Sequence, residues 1–223
     1  MKKASRYFPD EDRKRIAETV QAAEGKTSAE IVPVAATSSG RYDRSEDVIG
    51  LWIGTIALVV VWILFQDAQP DDWGGTKLVI NLPIVLGIIV GGWLLGVVVA
   101  NQIGWLRRLF TPRKELRQEA QQAASKAFFD SRVHHTAGST GVLIYVSLFE
   151  HVAVILADQQ VTEKLGQEKL DSFRDDLTAA LKEGKYTDAF CQTIEQIGTA
   201  LGEVLPRAED DKNELEDALV LID

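Results

Sequence analysis

Between Val48 and Leu106 the chain runs for 59 residues with only four ionisable side chains, Asp67, Asp71, Asp72 and Lys77. That stretch constrains the fold more than anything else in the sequence. Its first part, Val48 to Phe65, is VIGLWIGTIALVVVWILF, 18 residues without a charge. At a helical rise of 1.5 Å per residue this covers most of a hydrocarbon layer about 30 Å thick. A second run, Leu78 to Leu106, has 29 uncharged residues. It is longer than one crossing needs, so it should tilt, kink near Pro83, or emerge through Asn101 and Gln102. The other 164 of the 223 residues amount to one small domain, which is too little protein to cover two such helices on every side. A cleaved leader does not fit either, because the first run begins far from Met1 and follows a charged, helix-like segment.

The expected segmentation is a two-helix transmembrane hairpin over 48–106, with spans at about 48–65 and 78–102. Residues 1–47 and 107–206 form the two parts of one folded domain, and 207–223 is an acidic tail. Basic residues gather at the flanks: Arg41 and Arg44 before the first span, and Arg107, Arg108, Arg113, Lys114 and Arg117 after the second. The connecting loop, QDAQPDDWGGT, carries three aspartates. Positive charge marks the cytoplasmic side, so both flanks are expected in the cytoplasm and the loop outside, most simply at a bacterial inner membrane. All five tryptophans lie in or beside this region; Trp73 and Trp105 fit interfacial anchors, and Trp52, Trp62 and Trp93 fit lipid-facing or packing positions. Gly50-xxx-Gly54, Gly87-xxx-Gly91 and Gly92-xxx-Gly96 place small residues on helical stripes where backbones can approach closely. Such stripes serve either a homo-oligomer or the packing of the two hairpin helices on each other.

The flanking segments read as α/β. Before the hairpin, Ile16, Val20 and Ala23 recur at helical spacing behind an acidic first turn, and the helix stops near Gly25. Glu30 to Thr37 reads as a strand whose Pro33 suits an edge or a bulge. One helix and one strand cannot bury a core alone. After the hairpin, Thr111-Pro112 suits an N-cap and first-turn pair for a helix with Leu116, Ala120, Ala123 and Ala127 on one stripe. Gly141 to Phe149, GVLIYVSLF, is apolar on both alternations apart from Ser147, as in a strand covered on both faces. Glu150 and His151 turn the chain into a second strand, VAVILA, ending at Asp158. Two helices follow, one marked by Leu170, Phe173, Leu177 and Leu181, the other by Phe190, Ile194, Ile197 and Leu201. The tail from Arg207 holds seven acidic and two basic residues and reads as solvated and partly disordered. The fold expected is a small mixed sheet of three to four strands sandwiched by helices and interrupted by the hairpin.

Net charge of −9 with no long basic tract argues against a nucleic-acid partner. A lone cysteine, Cys191, excludes an intrachain disulfide and any CxxC motif. Carboxylates at the strand ends, Glu30, Glu150 and Asp158, are the candidate ligands for a divalent cation such as calcium, with His151 and Arg41 nearby in sequence. His134 and His135 are adjacent, so their side chains point different ways and suit a cap or loop better than joint chelation.

The stretches TSAEIVPV (Thr27–Val34) and TGVLIYVSLFEH (Thr140–His151), with a strand ending Ala157-Asp158, resemble the TPM domain. That resemblance implies a small mixed sheet between helices, sometimes with a membrane hairpin in this position. It also implies one of several activities: assembly or maintenance of membrane complexes, acid phosphatase activity, or binding of calcium or other divalent ions. Against the members linked to catalysis, Ser5 to Asp10 and Gln159 to Glu163 stand where aspartate-bearing segments occur, leaving Asp10, Asp158 and Glu163 as positional counterparts. The expected function is a membrane-anchored interaction or assembly module contacting the lipid bilayer and other membrane proteins. The alternative is a divalent-metal-dependent acid phosphatase or calcium-binding domain.

Overall fold

A computed structural model describes residues 2–65, 82–136, 138–208 and 214–223. In chain order its main elements are α1 (Asp10–Glu24), β1 (Ile31–Ala36), α2 (Asp43–Phe65), α3 (Leu82–Gln102), α4 (Gly104–Phe110) and α5 (Arg113–Asp130). These are followed by β2 (Val142–Ser147), β3 (Val152–Ala157), α6 (Gln159–Leu165), α7 (Gln167–Lys182), α8 (Tyr186–Val204) and β4 (Val220–Ile222). The chain divides into two compact units, residues 41–112 and residues 2–40 with 113–223.

In the first unit, α2 and α3 are long and apolar enough to cross a membrane. The glycines account for how they pair. A Cβ added at Gly92 would stand 2.5 Å from the Cα of Gly54, and one at Gly96 would stand 2.5 Å from the Cα of Gly50. Only hydrogen fits at those crossings. Gly87 and Gly91 face open space instead. The intrachain reading of the glycine stripes therefore holds for four of the six. The second apolar run is divided just after Asn101 and Gln102: α3 stops at Gln102, Ile103 leaves helical geometry, and α4 carries Trp105, which is 70% exposed. Glu46 near the start of α2 pairs with Arg107 at 3.1 Å. The connecting loop, Trp73 and the start of the proposed second span at 78–81 lie outside the described residues.

The second unit is a mixed α/β layer, a four-stranded sheet in the order β3-β2-β1-β4. β1 runs parallel to β2 and β4, whereas β2 and β3 form the expected antiparallel hairpin. On one face Ile31, Ala35, Ile144 and Ile155 pack against α1, α7 and α8 through Ile16, Leu177, Ile194 and Ile197. On the other, Val34, Leu143 and Tyr145 pack against Ala124 and Ala127 of α5 and against Val133. Fully burying such aliphatic side chains contributes about 1.5–3 kcal/mol each. The two-sided burial explains why β2 lacks polar alternation.

Four local expectations need correction. Pro33 does not put β1 at an edge. Even-numbered residues of β1 bond to β2, as Val142 N–H to Glu30 O and Leu148 N–H to Ala36 O show, so odd-numbered ones face β4. On that side the Ile31 N–H donates to Glu24 and the Thr37 N–H to Ile222 O, while Pro33 sits just ahead of the first β4 pairing at Val34. A residue without an N–H is harmless at such a place. Thr111 does not cap α5; its hydroxyl donates back to the Arg107 carbonyl at 2.8 Å and closes α4. Nor is the segment after Arg207 wholly a solvated tail. Leu219 is buried, residues 220–222 pair with β1, and the Asp223 carboxylate accepts from Ser5 and Thr37. Four consecutive apolar residues, Leu219 to Ile222, outweigh the acidic composition around them. On the α5 stripe, the buried alanine is Ala124 rather than Ala123.

Candidate functional site

The carboxyl ends of parallel β1 and β2 open onto the Ser38-Ser39-Gly40 loop and the turn after β2, a position where α/β sheets place ligands. Glu150 anchors it. Its carboxylate is buried, 2% exposed. Oε1 accepts from the Ser39 N–H at 2.8 Å, the Gly40 N–H at 3.3 Å and the Ser38 hydroxyl at 3.3 Å, and Oε2 accepts from the Ser147 hydroxyl. The Ser39 hydroxyl joins the Tyr145 hydroxyl at 2.9 Å and donates to Ser147 Oγ at 2.8 Å. Burial pushes the Tyr145 phenol up from its ordinary range, and the nearby Glu150 charge adds to that; the bond from Ser39 opposes it. The arrangement is a serine-rich loop closed by one carboxylate, held from β2 by Ser147 and Tyr145. Ser38, Ser39 and Tyr145 carried no signal of their own in the sequence beyond a Ser-Ser-Gly turn after a strand.

Glu150→Ala should therefore free the 38–40 loop. Two backbone donors would lose their acceptor, at a cost of about 1–3 kcal/mol. Amide hydrogen exchange at Ser39 and Gly40 should accelerate while β3 amides stay protected; unchanged exchange at Ser39 would disprove the clamp.

The opposite end of the sheet holds a second acidic group. Glu30 is buried and its Oε1 accepts the Glu214 N–H at 3.1 Å. Glu24, at the end of α1, accepts the Ile31 N–H at 2.8 Å through Oε1, while its buried Oε2 receives no donor. Burial pushes the Glu24 carboxyl up to about 8; the Ile31 bond works against that shift, and the charges of Glu30 and Asp217 reinforce it. Asp158 caps α6, its carboxylate accepting the Gln159 N–H at 2.8 Å.

Glu30, Glu150 and Asp158 do not converge. Glu30 and Asp158 share a sheet end, with Gly141 on the intervening strand bonded to Asp158. Glu150 lies at the other end, about six strand residues or roughly 20 Å away. Asp10 pairs with Arg13 on α1, and Glu163 accepts from Gln159 one turn earlier on α6. Arg41 is exposed, and His151 sits in the turn with φ 54°. His134 packs its ring 4.8 Å from that of Phe129; of His135 only the backbone is described. Cys191 is buried on α8 and accepts the Thr19 hydroxyl at 3.4 Å. Among the described residues, no three His, Cys, Asp or Glu side chains gather as a metal-holding group.

Residues 109–200 match the family model of the TPM domain. That stretch of the chain is similar to the TPM domain. The matched stretch takes in α5, the β2–β3 hairpin, α6, α7 and most of α8, so it includes Glu150 and Asp158 but not Glu24 or Glu30. The fold of the chain is similar to the NMR structure of the BA42 protein from the psychrophilic bacterium Bizionia argentinensis, with a TM-score of 0.58 over 99% of both chains at 17% identity. No curated protein matches the sequence.

Proposed function

We propose that this chain is an integral membrane protein whose TPM domain works as an interaction or assembly module for other membrane proteins. The observation that carries the reading is the apolar surface left on α2 and α3 after they have paired. Trp52, Ile63, Leu64, Leu86, Val90 and Leu95 are each more than half exposed. A contiguous apolar surface of that kind needs lipid or protein around it. The basic cluster from Arg107 to Arg117 and the acidic loop support a cytoplasmic domain with the loop outside. The alternative of a divalent-metal-dependent acid phosphatase or calcium-binding domain has less support, because the candidate carboxylates occupy two ends of the sheet and serve backbone N–H groups.

Fractionation and labelling test this. In a Cys191→Ser background, Asp71→Cys should react with a membrane-impermeant maleimide on intact cells. Gln122→Cys, at an exposed position of α5, should react only after permeabilisation. Alkaline carbonate should leave the chain in the membrane pellet; release into the supernatant would sink the anchor, and reversed labelling would overturn the orientation. If calcium or magnesium shifted the NMR signals of Glu30 and Asp158 together, the enzyme reading would take its place.

A further inference from the structure

β3 is an outer strand of the sheet, recessed in a groove between α5 and α7, with Ala153 and Ile155 only 6% and 7% exposed. The bond from Asp158 N–H to Gly141 O fixes the alternation, so residues 152, 154 and 156 bond to β2, while the N–H and C=O groups of Ala153, Ile155 and Ala157 point away from the sheet. No strand lies on that side among the described residues. The sequence VAVILA offers none of the usual protections of an edge: no charge, no proline and no bulge. The far edge differs, since β4 has three residues and is followed by Asp223, which is tied to Ser5 and Thr37.

The groove, of about 580 Å³, runs along this edge. Arg117 and Gln121 form its α5 wall; Asp171, Arg174, Asp175 and Thr178 form much of its α7 wall. The walls differ in charge. Arg174 pairs with Asp171 at 2.7 Å and Asp175 at 2.9 Å, which leaves the α7 wall net negative, so acidic side chains of a docked strand would have to face the α5 wall. Arg117 is exposed, makes no ion pair among the described residues, and is continuous with Arg113 and Lys114 one turn earlier.

We propose that this groove takes an extended segment of a partner protein, which adds as a strand to β3 and presents acidic side chains to Arg117 and its neighbours at alternate positions. The proposal deepens the interaction reading and rests on it, naming the partner's chemistry. Main-chain bonds to Ala153, Ile155 and Ala157 supply affinity, and the basic wall supplies sign and register. A second copy of this chain is a poor occupant. Antiparallel pairing of two β3 edges needs a twofold axis through the sheet, which sets the Arg113–Arg117 faces of the two α5 helices side by side, and the walls of the groove obstruct a whole sheet. A single strand meets neither obstacle.

The test uses the full chain in detergent micelles with the peptide Ac-Glu-Val-Glu-Thr-Glu-Val-NH2 and its Lys-for-Glu counterpart. The acidic peptide should shift the amide signals of Ala153, Ile155 and Ala157 and slow their hydrogen exchange; the lysine peptide should not. Arg117→Glu, on an exposed helix position, and Ala153→Pro, which removes one outward donor, should each weaken binding about tenfold. Circular dichroism of each variant confirms that it is folded, and Arg117→Glu alone suffices if Ala153→Pro is not. Equal binding of both peptides, shifts confined to α5, or no shift at millimolar peptide would overturn the proposal. So would a dimer that forms through β3, or anionic vesicles that occupy Arg117 and leave the β3 amides unmoved. Loss of peptide binding by a chain still retained in the membrane pellet overturns strand docking alone and leaves the anchor standing.

Discussion

Glu24→Gln should remove most of a stability loss that the native chain suffers between about pH 4.5 and pH 8. The Glu24 carboxyl titrates near 8 in the fold against 4.5 as its ordinary value. In that window the folded state holds a proton that the unfolded state has released, so the slope of stability with pH is negative. The contribution is complete below 4.5, declines as pH rises, and is gone above 8. A shift of this size corresponds to about 4–5 kcal/mol. The physical cause is visible at the site: Oε2 is buried without a donor, and Glu30 and Asp217 lie close enough to repel a third charge. Glutamine keeps an acceptor for the Ile31 N–H and carries no charge. Thermal unfolding followed from pH 5 to 9 should show a falling midpoint for the native chain and a flatter one for the variant. Parallel curves would mean that Glu24 is not the titrating group.

The second large effect is steric. Gly141 begins β2 at a point where a Cβ would stand 2.2 Å from the Val133 carbonyl oxygen and 2.5 Å from its Cγ1. Those atoms belong to a short 3₁₀ turn, Val133–His135, whose Val133 is wholly buried against the α5 face of the sheet. Neither the backbone oxygen nor the buried side chain can give way without moving β2 or the turn. Gly141→Val should therefore cost about 3 kcal/mol or more. That is on the order of 10 °C in melting temperature for a chain of this length. Gly87→Ala, where open space surrounds the site, is the matched control and should leave the melt within a degree or two. A Gly141 variant that melts with the native chain would show that the close approach to Val133 does not persist in solution.

Much of the fold was legible because its signals are local. The β2–β3 hairpin announces itself through an apolar run broken by Glu150-His151, and α7 and α8 through apolar residues at helical spacing. What escaped depends on partners far away in sequence. β4 has three residues inside an acidic stretch, and the short run Leu219 to Ile222 is its one local mark; its bonds come from β1. α4 was hidden within the second apolar run, since Gly104 to Phe110 continues the same composition after a single break at Ile103. The short helix α6 was hidden behind Asp158, whose capping role shows only when the Gln159 N–H is seen to reach it. The candidate carboxylates followed the same rule. Sequence reading marked Glu150 as a turn residue with possible chemistry, and the fold gives that carboxylate four donors from residues at 38–40 and 147. It passed over Glu24, which ends a helix in the ordinary way and acquires its raised pKa only when the fold buries it, with Glu30 and Asp217 brought beside it.

The register of the sheet also dictates a timetable. Each β1 residue pairs with a β2 residue 111 positions later, and Val34 to Ala36 also pair with β4 residues 186 positions later. At ribosomal speeds of about 5–20 residues per second, β1 waits roughly 5–20 s for its first neighbour. All of α2 and α3 is synthesised during that wait. On the membrane reading proposed above, the hairpin can be handed to a bilayer while the residues on either side of it are still unfolded chain, and the β1–β4 pairing forms only when residues 220–222 arrive. Such an order keeps a finished domain from blocking insertion, and it leaves β1 as the longest-exposed strand, one whose proline at position 33 is a safeguard against pairing with the wrong chain in the interval.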